Sequence, residues 1–228
     1  MKKRLVVLTG AGMSAESGLK TFRDMGGLWH THNVYEVASP EGWRKMPQTV
    51  LDFYNERRKQ LLEAKPNDGH RLLAQLENDF SVRIVTQNID DLHERAGSTN
   101  VLHLHGELRK AQSTCNQNLI YDIEGWQLNL GDTDENGCQL RPFVVWFGEA
   151  VPMLNKAIDE MKQADLLLII GTSLNVYPAA GLMTYTRSDI PIYYIDKQPA
   201  FVDKHIHIIK DTASSGLLRC IELLNLEK

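Results

Sequence analysis

The stretch Arg4-Leu5-Val6-Val7-Leu8-Thr9-Gly10-Ala11-Gly12-Met13-Ser14-Ala15 decides how the chain is read. Four consecutive apolar residues, Leu5 to Leu8, run without polar alternation into a loop with glycine at positions 10 and 12. A short apolar run bounded by glycine is the pattern of a strand buried on both faces. The loop satisfies G-x-G-x-x-A directly after that strand, which predicts close backbone approach and a following helix N-terminus offering N–H groups to a pyrophosphate. The basic start, Met1-Lys2-Lys3-Arg4, does not make this a leader peptide, because a secretory core needs about 7–15 apolar residues.

Similar runs recur at Arg4–Leu8, Val82–Val85, Phe143–Phe147, Leu166–Ile170, Ile192–Ile195 and His207–Ile209. Helical periodicity fills the gaps: Leu72, Leu73 and Leu76, then Ala157, Ile158 and Met161, then Leu217, Leu218, Ile221 and Leu224. Strands alternating with helices predict an α/β fold, a doubly wound, Rossmann-like parallel sheet. Two stretches break the alternation and read as insertions forming a smaller lobe, 29–65 and 107–140, leaving 1–28, 66–106 and 141–228 as the core of one domain.

A chain of 228 residues with 43% hydrophobic residues can bury a sizeable core without staples. The net charge of −4 and basic tracts of at most three residues argue against nucleic acid or anionic membrane as partner. Three cysteines, Cys115, Cys138 and Cys220, cannot build a disulfide framework and point to a reducing, cytoplasmic setting.

Ligands of doubly wound sheets sit at the carboxyl ends of strands. Val82–Val85 runs into Gln87-Asn88-Ile89-Asp90-Asp91, where Asn88 and Asp90 share a side of an extended segment; ribose or amide binding and helix capping are both open there. In Val101-Leu102-His103-Leu104-His105-Gly106 two histidines share a face, and His105, at the end before glycine, is the better candidate for a general base. Gly171, Thr172 and Ser173 follow the most apolar strand. His205 and His207 have no polar cluster beside them and read as structural. An ordinary dehydrogenase is disfavoured, since no second strand ending in an acidic residue follows the glycine loop.

Together these segments resemble the sirtuins, NAD-dependent protein deacylases. The motifs GAGMSAESGLKTFRD with GGLW, TQNIDDLHERAG, LHGEL, LRPFVVWFGE and IIGTSLNVYPAAG occur in the family's order. The resemblance implies that NAD is consumed, with Gly10, Ala11, Gly12 and Ser14 at its phosphates and Phe22, Arg23, Asp24 and Trp29 in the loop covering it. Gln87, Asn88, Ile89 and Asp90 would form the nicotinamide and ribose pocket, with His105 as general base and Asn88 and Asp90 counted with it as catalytic. Gly171, Thr172 and Ser173 would meet the phosphate and ribose side, and Asp196, Lys197, Gln198 and Ala213 the adenosine end. Val144, Val145, Phe147 and Gly148 would pair with the acyl-lysine segment of a protein substrate.

Tyr54 and Arg57, three apart on a helical stretch, resemble the Y-x-x-R of sirtuins that prefer succinyl- and malonyl-lysine, although Glu56, Arg57, Arg58 and Lys59 also make an ordinary solvated charge cluster. Two departures from the family are plain. Its zinc-binding lobe carries C-x-x-C twice, whereas Cys115 and Cys138 stand alone, so a lobe without zinc, held by Ile120, Tyr121, Trp126, Leu128 and Leu130, is expected. Lys20 stands where proline is common. Two other functions compete with deacylation: a non-catalytic NAD or ADP-ribose sensor, and a protein ADP-ribosyltransferase.

Overall fold

The computed structural model describes residues 2–20, 34–200 and 205–226. In chain order the elements are β1 (Arg4–Thr9), α1 (Val34–Val37), α2 (Pro40–Lys45), α3 (Pro47–Glu63), α4 (Asp68–Leu76), β2 (Ser81–Thr86), α5 (Leu92–Arg95) and β3 (Val101–His103). Then come β4 (Gly106–Ser113), β5 (Ile120–Asp122), β6 (Leu140–Val144), α6 (Leu154–Lys162), β7 (Leu166–Ile170), β8 (Ile192–Ile195), β9 (Ile206–Ile209) and α7 (Ala213–Leu226). A six-stranded sheet has the order β3-β2-β1-β7-β8-β9, every pair parallel, and a separate three-stranded sheet has the order β5-β4-β6, antiparallel. The doubly wound α/β expectation is met.

The uninterrupted apolar run of β1 has two partners because the sheet is covered on both faces. Leu5 and Val7 pack with Leu73 and Leu76 of α4 and Leu217 and Cys220 of α7. Val6 and Leu8 point the other way, onto Ala157 and Met161 of α6 and onto Leu182. All four are fully buried, each contributing about 1.5–3 kcal/mol by leaving water. Asn67 starts α4 by accepting the amide of His70, while the His70 ring accepts the amide of Asn67.

The structure corrects the sequence reading in several places. Phe143–Phe147 is not a parallel core strand. Its chain neighbours Leu140–Val144 form β6, antiparallel to β4, with Gly106 opposite Val144. Burial alternates along it, buried at Val144 and Trp146 and open at Phe147, as in a sheet with one covered face. After β1 the chain makes two 3-10 turns, Ala11–Met13 and Ala15–Ser17, rather than entering an α-helix.

Cys115 and Cys138 are joined by a disulfide, with Cα atoms 6.0 Å apart, against the expectation of reduced cysteines. Two residues 23 apart in sequence meet because Gln139 and Leu140 fold back beside Thr114 and Ser113. Of the five side chains expected to hold the lobe only Leu128 is in its core, with Leu51, Ala111 and Ile123; Ile120, Trp126 and Leu130 are exposed.

Arg58 supplies much of what those residues were expected to supply. It is fully buried, not part of a solvated face, and donates to the carbonyls of Trp126 and Leu108 and to Asn55 Oδ1. Asn55 in turn brackets Leu128 through its amide and carbonyl. Among the described residues no helix is long and apolar enough to cross a membrane.

Candidate active site

A cleft of about 1200 Å³ opens at the carboxyl ends of β1, β2, β7 and β8. It lies where strand order reverses, between β1 and β7, which is the ligand position of open α/β sheets. The loops on its two sides are in backbone contact. Gly10 and Gly12 donate to the carbonyls of Ile170 and Gly171, and a Cβ on Gly12 would lie 2.7 Å from Gly171 Cα. The glycines are therefore required first for loop-on-loop packing. The amides of Gly10, Gly12, Met13 and Ser14 are all engaged internally, so this loop offers fewer donors to a phosphate than the motif alone implies.

The polar floor is one network. Asn88 Nδ2 donates to Gly10 O at 3.1 Å and to Ser14 Oγ at 3.1 Å, and Ser14 Oγ donates to Asp90 Oδ2 at 2.9 Å. Asn88 and Asp90 thus share a side, as their spacing requires. Asp90 Oδ1 also accepts the amide of Leu92, so one carboxylate both lines the cleft and ties down the first turn of α5. Burial pushes the Asp90 carboxyl above its usual range, with Ser14 and Leu92 opposing. Gln87 reaches across to Thr172 Oγ1 at 3.0 Å, tying the loop after β2 to the loop after β7.

The two histidines part company. His105 Nδ1 lies 3.0 Å from the Gln87 carbonyl, which can only accept, so Nδ1 carries the proton and Nε2 keeps its lone pair. Burial lowers the His105 pKa, partly offset by that carbonyl, so the ring is neutral at neutral pH. His105 lines the cleft. His103 Nδ1 lies 3.0 Å from the Asn88 carbonyl and its Nε2 lies 2.8 Å from Glu94 Oε1. Both neighbours are acceptors, an arrangement that favours the protonated ring, which alone can donate from both nitrogens. Burial opposes that charge, but the Glu94 carboxylate and the Asn88 carbonyl outweigh it and raise the His103 pKa. His103 ties the Asn88 carbonyl to Glu94 and so braces the floor from behind.

Every described candidate from the sequence lines this cleft. Gly10, Ala11, Gly12 and Ser14 form one wall, Gln87 to Asp90 the floor, and Gly171, Thr172 and Ser173 the opposite wall. Asp196, Lys197, Gln198 and Ala213 lie toward β8 and α7. Val144, Val145, Phe147 and Gly148 edge the other end, where Tyr54 and Arg57 of α3 also enter. Phe22, Arg23, Asp24 and Trp29 lie outside the described residues. His207 stacks on Tyr193, ring centroids 4.9 Å apart, away from this site.

A sequence model of the Sir2 family matches residues 10–178. The chain belongs to the Sir2 family. A protein of Helicobacter pylori (strain ATCC 700392 / 26695) named NAD-dependent protein deacylase is 57% identical over 213 residues, 92% of this chain and 93% of its own length. One of the same name from Bacteroides thetaiotaomicron is 53% identical over 231 residues, 97% of this chain and 98% of its own. The crystal structure of a Sir2 homologue–NAD complex superimposes with a TM-score of 0.89 at 36% identity, covering 99% of this chain and 91% of that one.

Four residues that line this Sir2 cleft received no individual role from the motifs that contain them. Trp146 sits inside the quoted VVWFGE, and the inward alternation of Val144 and Trp146 is the signal that could have found it. Val176 and Tyr177 line the cleft from the loop after β7, exposed by 41% and 78% although apolar. Glu16, which lines the cleft and accepts the amide of Ser214, had no local signal.

Proposed function

We propose that this chain is an NAD-dependent protein-lysine deacylase that removes acetyl groups and also succinyl and malonyl groups. Acyl-lysine, NAD and water would give free lysine, nicotinamide and O-acyl-ADP-ribose. The observation that carries the proposal is His105: a neutral imidazole, its Nδ1 proton committed to Gln87, in the same cleft as the Ser14–Asn88–Asp90 network. NAD, when bound, supplies an anomeric carbon with a cationic leaving group.

The residues fit such a dinucleotide. Gly10, Gly12 and Gly171 bring the two walls together with only small side chains between them, and buried Asn88 and Asp90 present amide and carboxylate groups to the cleft. A cleft of 1200 Å³ exceeds the usual single-ligand range of about 300–1,000 Å³, leaving room for a second substrate. In this reading the Gly10–Ser14 and Gly171–Ser173 walls hold the phosphates and riboses, Asp196, Lys197, Gln198 and Ala213 the adenosine end, and Gln87 to Asp90 the nicotinamide ribose. His105 Nε2 takes the proton of a ribose hydroxyl that receives the acyl group. The amides of Val145, Trp146 and Phe147 already donate to His105 O, Glu149 Oε2 and Ala38 O, so a substrate strand at this edge would be received chiefly by carbonyls.

Tyr54 and Arg57 support the acid-tipped acyl groups, because both enter the cleft from α3 and offer a phenol and a guanidinium to one carboxylate. Zinc does not fit the small lobe: its two cysteines bond each other, and among the described residues no group of three or more His, Cys, Asp or Glu could hold a metal. We take 1–28, 66–106 and 141–228 as the core unit and 29–65 with 107–140 as the lobe.

The test is incubation with NAD and matched acetyl- and succinyl-lysine peptides, followed by mass analysis. Deacylated peptide together with O-acyl-ADP-ribose is expected. NAD bound but unconsumed, or ADP-ribose attached to protein, would overturn the proposal in favour of a sensor or a transferase. Arg57→Met is expected to reduce desuccinylation about ten- to a hundred-fold more than deacetylation; equal losses would remove the acid-pocket assignment.

A further inference from the structure

Trp146 is 2% exposed and Tyr54 1% exposed, yet each carries a polar atom that must be satisfied. They satisfy each other: the indole Nε1–H donates to the Tyr54 hydroxyl oxygen at 3.1 Å. A phenol that accepts there keeps its own O–H proton, which has no acceptor among the described residues. The oxygen is fixed on one side, so the proton is directed to another. Burial pushes the Tyr54 hydroxyl up to about 12, so it remains a donor throughout the working range.

Trp146 is itself held on three sides. Its amide donates to Glu149 Oε2 at 2.8 Å. Arg141 grips the same carboxylate through both Nη atoms, at 2.7 and 3.1 Å, and donates from Nη2 to the Val144 carbonyl at 2.8 Å. The Arg141 guanidinium also lies 3.4 Å from the centroid of the Trp146 ring. A chain of polar contacts therefore runs from Arg141 through Glu149 and Trp146 to Tyr54, joining the substrate edge after β6 to α3.

We propose that Trp146 is a positioning residue for acyl selectivity: through its N–H it sets the direction in which Tyr54 donates to a carboxylate-tipped acyl chain. The proposal rests on the reading that Tyr54 and Arg57 receive that carboxylate. Loss of the N–H leaves the phenol free to rotate, so a succinyl tip loses a pre-aimed hydrogen bond, whereas an acetyl group has no carboxylate to miss it.

The test is a cycle of Trp146→Phe, Tyr54→Phe and the double variant, with Arg57→Met alongside, reading the succinyl-to-acetyl ratio of kcat/KM. A second form replaces Trp146 by its benzothienyl analogue, which swaps the N–H for sulfur in a ring of almost the same shape. Both Trp146 changes are expected to lower the ratio about tenfold, mainly through KM for the succinyl peptide, and to add nothing in the Tyr54→Phe background. An unchanged ratio in the benzothienyl form while Arg57→Met lowers it overturns the role of Trp146 and leaves the acid pocket standing. Full additivity with Tyr54→Phe does the same. A ratio unmoved by Arg57→Met overturns both.

Discussion

At the scale of single residues, protonation decides what the site can do. His105 and His103 are two positions apart, yet Gln87 alone meets one ring and Asn88 with Glu94 meets the other. Burial disfavours the charged form of His105, whereas the acceptors around His103 favour it there. A base must be neutral to act, and burial lowers the His105 pKa from the free value, so kcat/KM should rise along an acid limb centred below about pH 6.5. A limb centred above that value would contradict the assignment of the base.

Stability has the opposite signs for the two groups. The contribution of His103, whose pKa is raised, is complete below about pH 6.5 and lost as pH rises through its folded pKa. His70 and His93 behave in reverse. They are fully buried with ring centroids 4.8 Å apart; burial, then the Arg71 charge, lowers His70 to about 4, and burial, then the neighbouring histidines, holds His93 well below its ordinary value. Their neutral forms are favoured by folding, so their contribution is full above about pH 6.5 and lost as pH falls through the folded values. Thermal melts should show Tm falling steeply between about pH 6.5 and 4, and His70→Gln should flatten that slope. An unchanged slope in His70→Gln would contradict the burial argument.

At the scale of elements, the small lobe is held by a helix side chain and a crosslink. Arg58→Met leaves the buried Leu108 carbonyl, the part-buried Trp126 carbonyl and the Asn55 amide oxygen short of a donor, which should cost roughly 2–4 kcal/mol and lower Tm by about 4–16 °C. Reduction of Cys115–Cys138 releases a loop closed across 23 positions and should cost roughly 3 kcal/mol in unfolding measurements. Metal analysis of the reduced protein should find no stoichiometric zinc, and one tightly bound zinc per chain would contradict a metal-free lobe.

These two devices were illegible in sequence for definite reasons. Arg58 sits in a run of charged residues, Glu56 to Lys59, where helix geometry alone does not say which one faces inward. The cysteine pairing depends on how an irregular loop folds back, and no local period records that. The strands were legible where burial is two-sided, as at Leu166–Ile170. Phe143–Phe147 misled because an apolar run does not reveal whether its partner strand is parallel.

At the scale of the whole molecule, the parallel sheet places the ends of β1, β2, β7 and β8 around one cleft, so residues from positions 10 to 213 converge there. Each segment alone was ambiguous in sequence; their order along the chain made them informative. Most residues lining the cleft were legible because they stand at strand ends, whereas Trp146 meets Tyr54 through a tertiary contact and left only an alternation. The central claim is that this convergence serves a reaction in which NAD is consumed and His105 is the base. It is tested most directly by His105→Asn, measuring NAD affinity by calorimetry alongside release of nicotinamide, free lysine and O-acyl-ADP-ribose. NAD affinity within a few-fold of the unaltered protein and product formation lower by about 10²–10⁴-fold are predicted; deacylation at an undiminished rate would contradict the claim.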